Sequence, residues 1–185
     1  MNVTADKPKI PEKTLRRLLV RRAPTGKSQA ILQAGPLRLR AAIGRSATTS
    51  RKREGDGATP IATMKLVSGY LRGDRVREAK TALPMQRASA AMLWCDASGH
   101  ASYNRPVKAP FRPSHERLMR DDELYDLCIV LDWNLSSRKR GRGSAIFFHI
   151  APPGYQPTEG CVALHPRDMR RLLPFLTART SLQVL

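Results

Sequence analysis

Ser144-Ala-Ile-Phe-Phe-His149 and Cys161-Val-Ala-Leu164 are two apolar runs joined by Ile150-Ala-Pro-Pro-Gly-Tyr-Gln-Pro-Thr-Glu-Gly160, which is rich in proline and glycine. Short apolar runs bounded by turn residues are typical of buried β-strands. We therefore predict strands at Ser144–Ile150 and Cys161–Leu164. A loop of this kind can fold back so that an imidazole and a thiol meet.

The residue types at the two ends of this loop suit nucleophilic catalysis. An ordinary cysteine is only a few per cent thiolate at neutral pH, and a neighbouring histidine can take its proton and later return it to a leaving amine. Gly160 lets the backbone turn sharply before Cys161, so the amides there could face an oxyanion. The alternative, in which His149 ends a strand and Cys161 is a small buried hydrophobe, explains less of this pattern.

The same residues resemble the active-site signature of YkuD-type L,D-transpeptidases, a histidine followed after a gap by Ser/Thr-x-Gly-Cys, here Thr158-Glu-Gly-Cys161. Arg53-Glu-Gly-Asp-Gly-Ala-Thr-Pro60 resembles the Thr-Pro segment of that domain. Four further pieces resemble one branch of the family: Trp94-Cys95-Asp96, Tyr103-Asn-Arg-Pro106, Tyr125-Asp126 and Asp132-Trp-Asn134. The likeness extends over about residues 35–177 and implies an L,D-transpeptidase-like catalytic domain.

This resemblance implies a cysteine acyltransferase that acts on peptidoglycan stem peptides. Cys161 would attack the bond between an L-centre and D-alanine, and the thioester would be resolved by an amine of a second stem. His149 would act as base and then acid, oriented by the main-chain carbonyl of Ile150. The amides of Gly160 and Cys161 would form the oxyanion hole. Water as acceptor would instead make the protein an L,D-carboxypeptidase or endopeptidase.

Two positions depart from the family pattern. Many members have a histidine directly before Gly-Cys and an arginine two residues after the cysteine, where this chain has Glu159 and Ala163. A carboxylate near the thiol would oppose thiolate formation if it pointed inward. A solvent-facing loop acid is the equal alternative for Glu159. The loss of the arginine leaves carboxylate recognition to another base, for which Arg105 and Arg53 are the candidates.

Other candidate contacts come mainly from the resemblance. Thr158 carries a hydroxyl that could fix the loop or touch substrate. The lower-ranked lining residues are Tyr103, Asn104, Arg105 and Asn134, for which ordinary turn and strand-end roles are an equal alternative.

The organisation of the chain predicts a disordered basic leader over residues 1–14 and a single catalytic domain over 15–185. Short runs and turn-rich connections favour a mainly β fold, a barrel or sandwich with one or two short helices packed on it. Further strands are predicted at Leu37–Ile43, Ala62–Val67, Ala91–Cys95, Tyr125–Asp132 and Ser181–Leu185. We predict a helix over Pro166–Leu173 that supports the nucleophile strand, because proline suits the first helical position and Asp168 its positive end.

Positive charge dominates the composition. The net charge is +18, and residues 1–53 supply fourteen Lys or Arg against two acids. Such a surface suits an anionic polymer, so anionic envelope polymers are expected partners beside the stem peptides. Nucleic acid is a weaker alternative, because residues 1–53 contain no aromatic side chain on which bases could stack. A non-catalytic basic module is the remaining interpretation from another class.

The segment Arg45–Thr59 is polar and rich in glycine, which predicts a loop. It could lie near the catalytic mouth, with Arg51, Lys52 and Arg53 available to attract anionic polymer, or be a mobile surface loop.

The three cysteines, Cys95, Cys128 and Cys161, do not form a disulfide framework if one thiol stays free for chemistry. Cys128 lies in a continuous apolar run and is predicted to be inert and buried, and Cys95 to be structural. No Cys/His group has the spacing of metal ligands, so we expect neither a metal nor a cofactor.

The cell envelope or periplasm is the location that the resemblance implies. However, no apolar export segment is visible near Met1, which leaves the cytoplasm as an alternative. Arg16-Arg17-Leu-Leu-Val20 faintly resembles a twin-arginine signal, but a basic first strand explains it better. No run approaches the ~20 apolar residues that a membrane-spanning helix needs.

Overall fold

A closed β-sheet forms the centre of the molecule, whose computed structural model describes residues 14–24 and 26–185. The strands are β1 Arg17–Arg22, β2 Gln29–Ala34, β3 Leu37–Ala42, β4 Thr48–Thr49, β5 Thr59–Pro60, β6 Thr63–Leu71, β7 Met85–Arg87, β8 Met92–Cys95, β9 Arg105–Lys108, β10 His115–Arg117, β11 Leu127–Leu131, β12 Phe147–Ile150, β13 Val162–Leu164 and β14 Ser181–Val184. One α-helix, α1 Pro166–Leu172, and two 3₁₀ turns, Pro153–Tyr155 and Leu173–Phe175, complete the elements of this part.

Strand pairing closes the main sheet on itself. Neighbours follow the order β11-β12-β13-β3-β2-β1-β14-β6, and β6 pairs with β11 to complete the ring, while β7 pairs with the end of β6. Most pairs are antiparallel, but β1 with β14, β12 with β13 and β6 with β7 are parallel. The predicted mainly β barrel with a short helix packed on it is therefore confirmed.

The barrel interior follows from the alternation of apolar and polar residues along the strands. In β3, Leu37 and Leu39 face the core while Arg38 and Arg40 are exposed. Because side chains alternate faces along a strand, the period-two pattern buries one row and solvates the other. The interior thereby becomes a continuous aliphatic cluster.

Helix α1 directly follows β13 and packs Met169 and Leu172 into the same cluster. His165 caps its first turn by accepting a hydrogen bond from the Arg167 amide at 3.2 Å. The predicted helix is correct except at its end, where Pro174 cannot continue the ladder and Leu173–Phe175 forms a 3₁₀ turn instead. This helix therefore supports the strand that begins after Cys161.

A second layer lies against the outside of the barrel. Strands β10, β8 and β9 form a small antiparallel sheet, and Trp94, Tyr125 and Phe147 pack together beneath it. Trp94 and Tyr125 each meet the Phe147 ring edge to face, at 5.3 and 5.7 Å between ring centroids. This outer cluster forms one side of the candidate site.

The predicted strands exist, with shifted ends. Tyr125–Asp132 shortens to β11, Ser144–Ile150 shortens to β12, and Ala62–Val67 extends to β6. β11 pairs on both sides, with β12 and β6, as its continuous apolar run suggests. The arginine-rich run at 16–20 lies largely in β1, with Leu18 and Val20 fully buried, which agrees with the basic-strand interpretation.

Strands β2, β4, β5, β7, β9 and β10 were not predicted, and β4 and the first residue of β5 lie in the segment predicted as a loop. β9 and β10 are short and mostly polar or exposed, and they are strands because they pair with the edges of β8. Such strands carry little periodic signal of their own.

The predicted leader lies almost wholly outside the described residues. Among the residues that are described, no helix has the length and apolarity needed to cross a bilayer.

Candidate active site

The parallel pairing of β12 with β13 places His149 and Cys161 on the same face of the sheet. Phe148 lies opposite Val162 and His149 opposite Ala163. Phe148 and Val162 point into the barrel core, so the alternating His149 and Cys161 point outward. Cys161 is thus a diagonal neighbour of His149 on the adjacent strand, roughly 8 Å away between Cα atoms from standard strand spacing. Both side chains line one cavity of about 350 Å³.

The Cys161 thiol is held by the backbone that leads into β12. Its Sγ accepts a hydrogen bond from the Phe147 amide at 3.3 Å and donates to the Ala145 carbonyl at 3.3 Å. Ala145 has a φ of 50°, which is costly for a residue with a side chain. The Asn104 side chain stabilises it by accepting the Ala145 amide at 3.1 Å. The resting thiol proton is therefore directed to Ala145, and attack requires the thiol to turn to His149.

The His149 ring is fixed by its own backbone neighbour. Nδ1 lies 2.8 Å from the Ile150 carbonyl oxygen, which can only accept, so we assign the proton to Nδ1 and leave Nε2 as the basic nitrogen. Tyr125 meets the ring edge to face at 5.3 Å. The structure therefore places the Ile150 carbonyl where the sequence predicts an orienting group.

Burial keeps both reactive groups neutral. Desolvation lowers the pKa of His149 to about 4 and raises the pKa of Cys161 to about 12. Each charged form loses hydration inside the fold without a full counter-charge. The pair therefore rests as a neutral thiol and a neutral imidazole.

The loop before Cys161 is organised by Thr158. Its hydroxyl donates to the Cys161 carbonyl at 2.7 Å and accepts the Gly160 amide at 3.2 Å. The loop-fixing role considered for Thr158 agrees with this geometry. The Gly160 amide, which the sequence analysis expects to face an oxyanion, donates to the Thr158 hydroxyl in this structure.

Gly160 itself adopts a conformation that only glycine tolerates well. Its φ is 135°, and an added Cβ would lie 2.9 Å from the Ala58 carbonyl oxygen. The close approach of two backbones explains why a glycine precedes Cys161.

The two departures from the family pattern have structural explanations. Glu159 is 73% exposed and pairs with Arg45 at 2.8 Å, so solvent and a counter-charge compensate its carboxylate at the border of the cavity. Ala163 is fully buried in a small apolar cluster with Ala42 and Ala151, which Tyr155 packs against.

Neither arginine proposed as a substitute for the missing one lines the cavity. Arg53 and Arg105 are exposed and lie outside its lining. Arg120 is the arginine that lines it, held by Asp122 and stacked 5.1 Å above the Tyr125 ring. No sequence signal distinguished Arg120, because it reaches the site only through the packing of the 115–125 segment.

Asn104, Tyr103 and Asn134 were predicted to contact substrate, but none of them borders the cavity. Asn104 is 1% exposed and accepts Trp94 Nε1 at 3.0 Å. Tyr103 is also buried and donates its hydroxyl to Glu54. Asn134 organises the following turn by accepting the Lys139 amide at 2.8 Å. The prediction that these residues line the site is wrong, since none of the three borders the cavity.

The loop at residues 45–59 does border the cavity, through Glu54 and Gly55. The expectation that Lys52 is available to a polymer is wrong, because its side chain is 3% exposed and its ammonium group pairs with Asp56. Lys52 Nζ lies 3.5 Å from the position of a Cβ on Gly160, so this buried cation stands behind the nucleophile loop. Sequence reasoning missed the burial of Lys52 and the position of Glu54 at the cavity, because a charged residue in a polar loop usually faces water.

The remaining cysteines are buried free thiols, as expected for Cys95 and Cys128. In the described ranges, no group of three or more Cys, His, Asp or Glu side chains could hold a metal ion.

The sequence matches the family model for the L,D-transpeptidase catalytic domain, YkuD, over residues 24–184. The chain therefore belongs to this family. A comparison with curated proteins gives no match.

One solved structure resembles the fold at a distance, the crystal structure of Mycobacterium tuberculosis L,D-transpeptidase 1. The two chains share 13% identity with a TM-score of 0.39; the alignment covers 91% of this chain and 61% of that one.

Proposed function

We propose that the protein is a cysteine acyltransferase of peptidoglycan stem peptides, in which Cys161 is the nucleophile and His149 the general base and acid. The observation that carries the proposal is the shared outward face of β12 and β13, where both side chains meet one cavity and the His149 ring is oriented by Ile150. Membership of the L,D-transpeptidase family supplies the substrate class.

In the first half-reaction, His149 Nε2 accepts the thiol proton as Sγ attacks the carbonyl carbon between the L-centre and D-alanine. The carbon–nitrogen bond breaks, and the imidazolium gives the same proton to the amine of the departing D-alanine. A thioester remains on Cys161. Because neither group carries charge at rest, the ion pair forms only along the reaction path.

The developing oxyanion needs main-chain donors. The Cys161 amide is one proposed donor, and the Gly160 amide is the second once it exchanges the Thr158 hydroxyl for the substrate oxygen. That bond, at 3.2 Å, is at the long end of the range for N–H···O hydrogen bonds, so the exchange costs little.

In the second half-reaction, an amine from another stem attacks the thioester carbonyl. The carbon–sulfur bond breaks, one amine proton passes through His149 to the sulfur, and a cross-link forms. We favour the amine over water because the family is that of transpeptidases.

The basic outer face of the barrel fits a location in the cell envelope. Arg17, Arg21, Arg38 and Arg40 are exposed on β1 and β3. We propose that these arginines attract anionic envelope polymers, an interaction that salt should weaken.

Incubation of the purified protein with a disaccharide tetrapeptide tests the function by mass spectrometry. We expect a cross-linked dimer with one D-alanine lost; a tripeptide alone would mean that water is the acceptor. Replacing Cys161 by Ala should abolish either product, whereas Cys95→Ala keeps the nucleophile and should retain turnover. Full activity in the Cys161→Ala protein would refute the assignment.

A further inference from the structure

Glu54 differs from the other charged side chains that line the cavity, because it is fixed by buried hydroxyl groups rather than by a cation. The Tyr103 hydroxyl donates to its Oε2, and Ser144 Oγ donates to the same oxygen at 2.9 Å. Tyr103 and Ser144 are 2% and 6% exposed. Within residues 14–24 and 26–185, no ion pair includes Glu54. Its carboxylate is thus positioned but its charge is not neutralised.

Two other lining carboxylates already have cationic partners. Glu159 pairs with Arg45 at 2.8 Å, and Glu116 with Arg120 at 3.4 Å. Asp96, by contrast, has no cationic partner in the described part of the chain, and its buried Oδ1 has no hydrogen-bond partner there. In a partly desolvated cavity, an unpaired negative charge is costly, and a positively charged ligand group would relieve it.

The position of Glu54 relative to the nucleophile is fixed by the backbone. Ser144, which holds the carboxylate, immediately precedes Ala145, whose carbonyl accepts the Cys161 thiol at 3.3 Å. A group bound to Glu54 therefore lies beside an acyl group carried on Cys161. This proximity makes Glu54 a contact for substrate rather than for a remote surface ligand.

We propose that Glu54 is a specificity-determining residue that binds an ammonium group of the peptide substrate next to Cys161. The inference rests on the proposed function and deepens it. The ammonium group could belong to the donor stem, as the free amine of its diamino acid, or to the acceptor stem. A charge-assisted hydrogen bond to a fixed carboxylate should change affinity by about 10-fold.

Binding to the full-length Cys161→Ala protein tests the donor, since this variant cannot react. Calorimetry would compare a stem tetrapeptide whose diamino acid carries a free amine with the same peptide acetylated on that amine. We expect about 10-fold tighter binding of the free amine. This preference should disappear when Glu54→Gln is added. Glu78→Gln is the matched control, because Glu78 is exposed and outside the cavity, and it should keep the preference.

The reactive protein tests the acceptor. With the acetylated peptide as donor and an amine stem as acceptor, Glu54→Gln should lower the ratio of aminolysis to hydrolysis of the thioester about 10-fold. An unchanged midpoint of thermal unfolding would show that the variant folds. Tyr103→Phe, which keeps the carboxylate but removes one of its donors, should shift the amine preference in the same direction by a smaller factor.

The outcomes separate the two proposals. Stem-peptide turnover with no amine dependence in either arm would overturn the role of Glu54 and leave the acyltransferase intact. Amine-dependent binding without any turnover would support Glu54 and refute the acyltransferase. Loss of hydrolysis together with aminolysis in Glu54→Gln would show that the residue is merely structural.

Discussion

The two faces of the β12–β13 pair share one backbone but differ in their side chains and in what those side chains contact. The inner face presents Phe148, Ile150, Val162 and Leu164 to the barrel core, all nearly inaccessible to solvent. The outer face presents His149 and Cys161 to a cavity under the small sheet. The same ladder of hydrogen bonds holds both rows. The precision of the outer face therefore depends on the packing of the inner one.

The inner face depends on volume and apolarity, whereas the outer face depends on individual atoms. An aliphatic core tolerates exchanges of similar size. On the outer face, a shift of one residue in register would turn Cys161 into the core and Val162 to the cavity. Catalytic geometry is thus more sensitive than stability to small changes at these strands.

The largest effect should follow from weakening the inner face. Phe148→Ala removes a fully buried ring between Ile129 and Val162, and we expect the free energy of unfolding to fall by about 3–5 kcal/mol. Denaturant unfolding measures it. Val67→Ala, at a position that is 41% exposed, is the control and should change stability little. A loss below about 1 kcal/mol for Phe148→Ala would mean that the barrel core does not support the site as described.

The next effect concerns the outer face and pH. The unfolded imidazole of His149 binds a proton near its ordinary pKa of 6.5, but burial holds the folded one neutral until its pKa of about 4. Because the unfolded chain binds more protons in this window, stability is present above pH 6.5 and is lost as pH falls to 4. The loss should be about 3 kcal/mol.

Unfolding curves at pH 7 and pH 4 for the natural protein and His149→Gln would isolate this contribution, since other titrating groups are common to both. The natural protein should lose about 3 kcal/mol more than the variant. Equal losses in the two proteins would contradict a neutral buried imidazole.

The smallest effect should come from the loop that joins β12 to β13. Gly160→Ala places a Cβ 2.9 Å from the Ala58 carbonyl at a φ of 135°, and we expect a cost of about 1–3 kcal/mol. The temperature of thermal unfolding should fall, and the rate of Cys161 alkylation should change as the thiol moves. Gly99→Ala, where nothing lies within 4 Å of the new methyl group, should leave both unchanged. Unaltered behaviour of Gly160→Ala would mean that the loop can relax without moving the thiol.

Sequence reasoning predicted the strands whose apolar pattern is strong. β11 and β13 are continuous apolar runs, β12 is apolar except for His149, and β3 alternates leucine with arginine, so each was placed to within a few residues. β9 and β10 could not be found in this way, since they owe their conformation to pairing with β8.

The candidate site was only partly visible from the sequence. Motif spacing predicted Cys161, His149 and Thr158, all of which line the cavity. Tyr103 and Asn104 were expected to line it as well, but tertiary packing places them behind Glu54 and Ala145. Nothing local in the sequence tells a supporting side chain from one that faces the cavity.

The sequence by itself determined that a strand–loop–strand unit would carry a histidine and a cysteine in an L,D-transpeptidase pattern, because that information is local in spacing and residue type. Only the tertiary structure decided which charges reach the thiol. It buries Lys52 behind the Gly160 loop, turns Glu159 outward to Arg45 and brings Glu54 into the cavity. The physical reason is that the partners of Glu159 and Glu54, which are Arg45 and Ser144, lie 114 and 90 residues away along the chain and meet them only when the barrel closes.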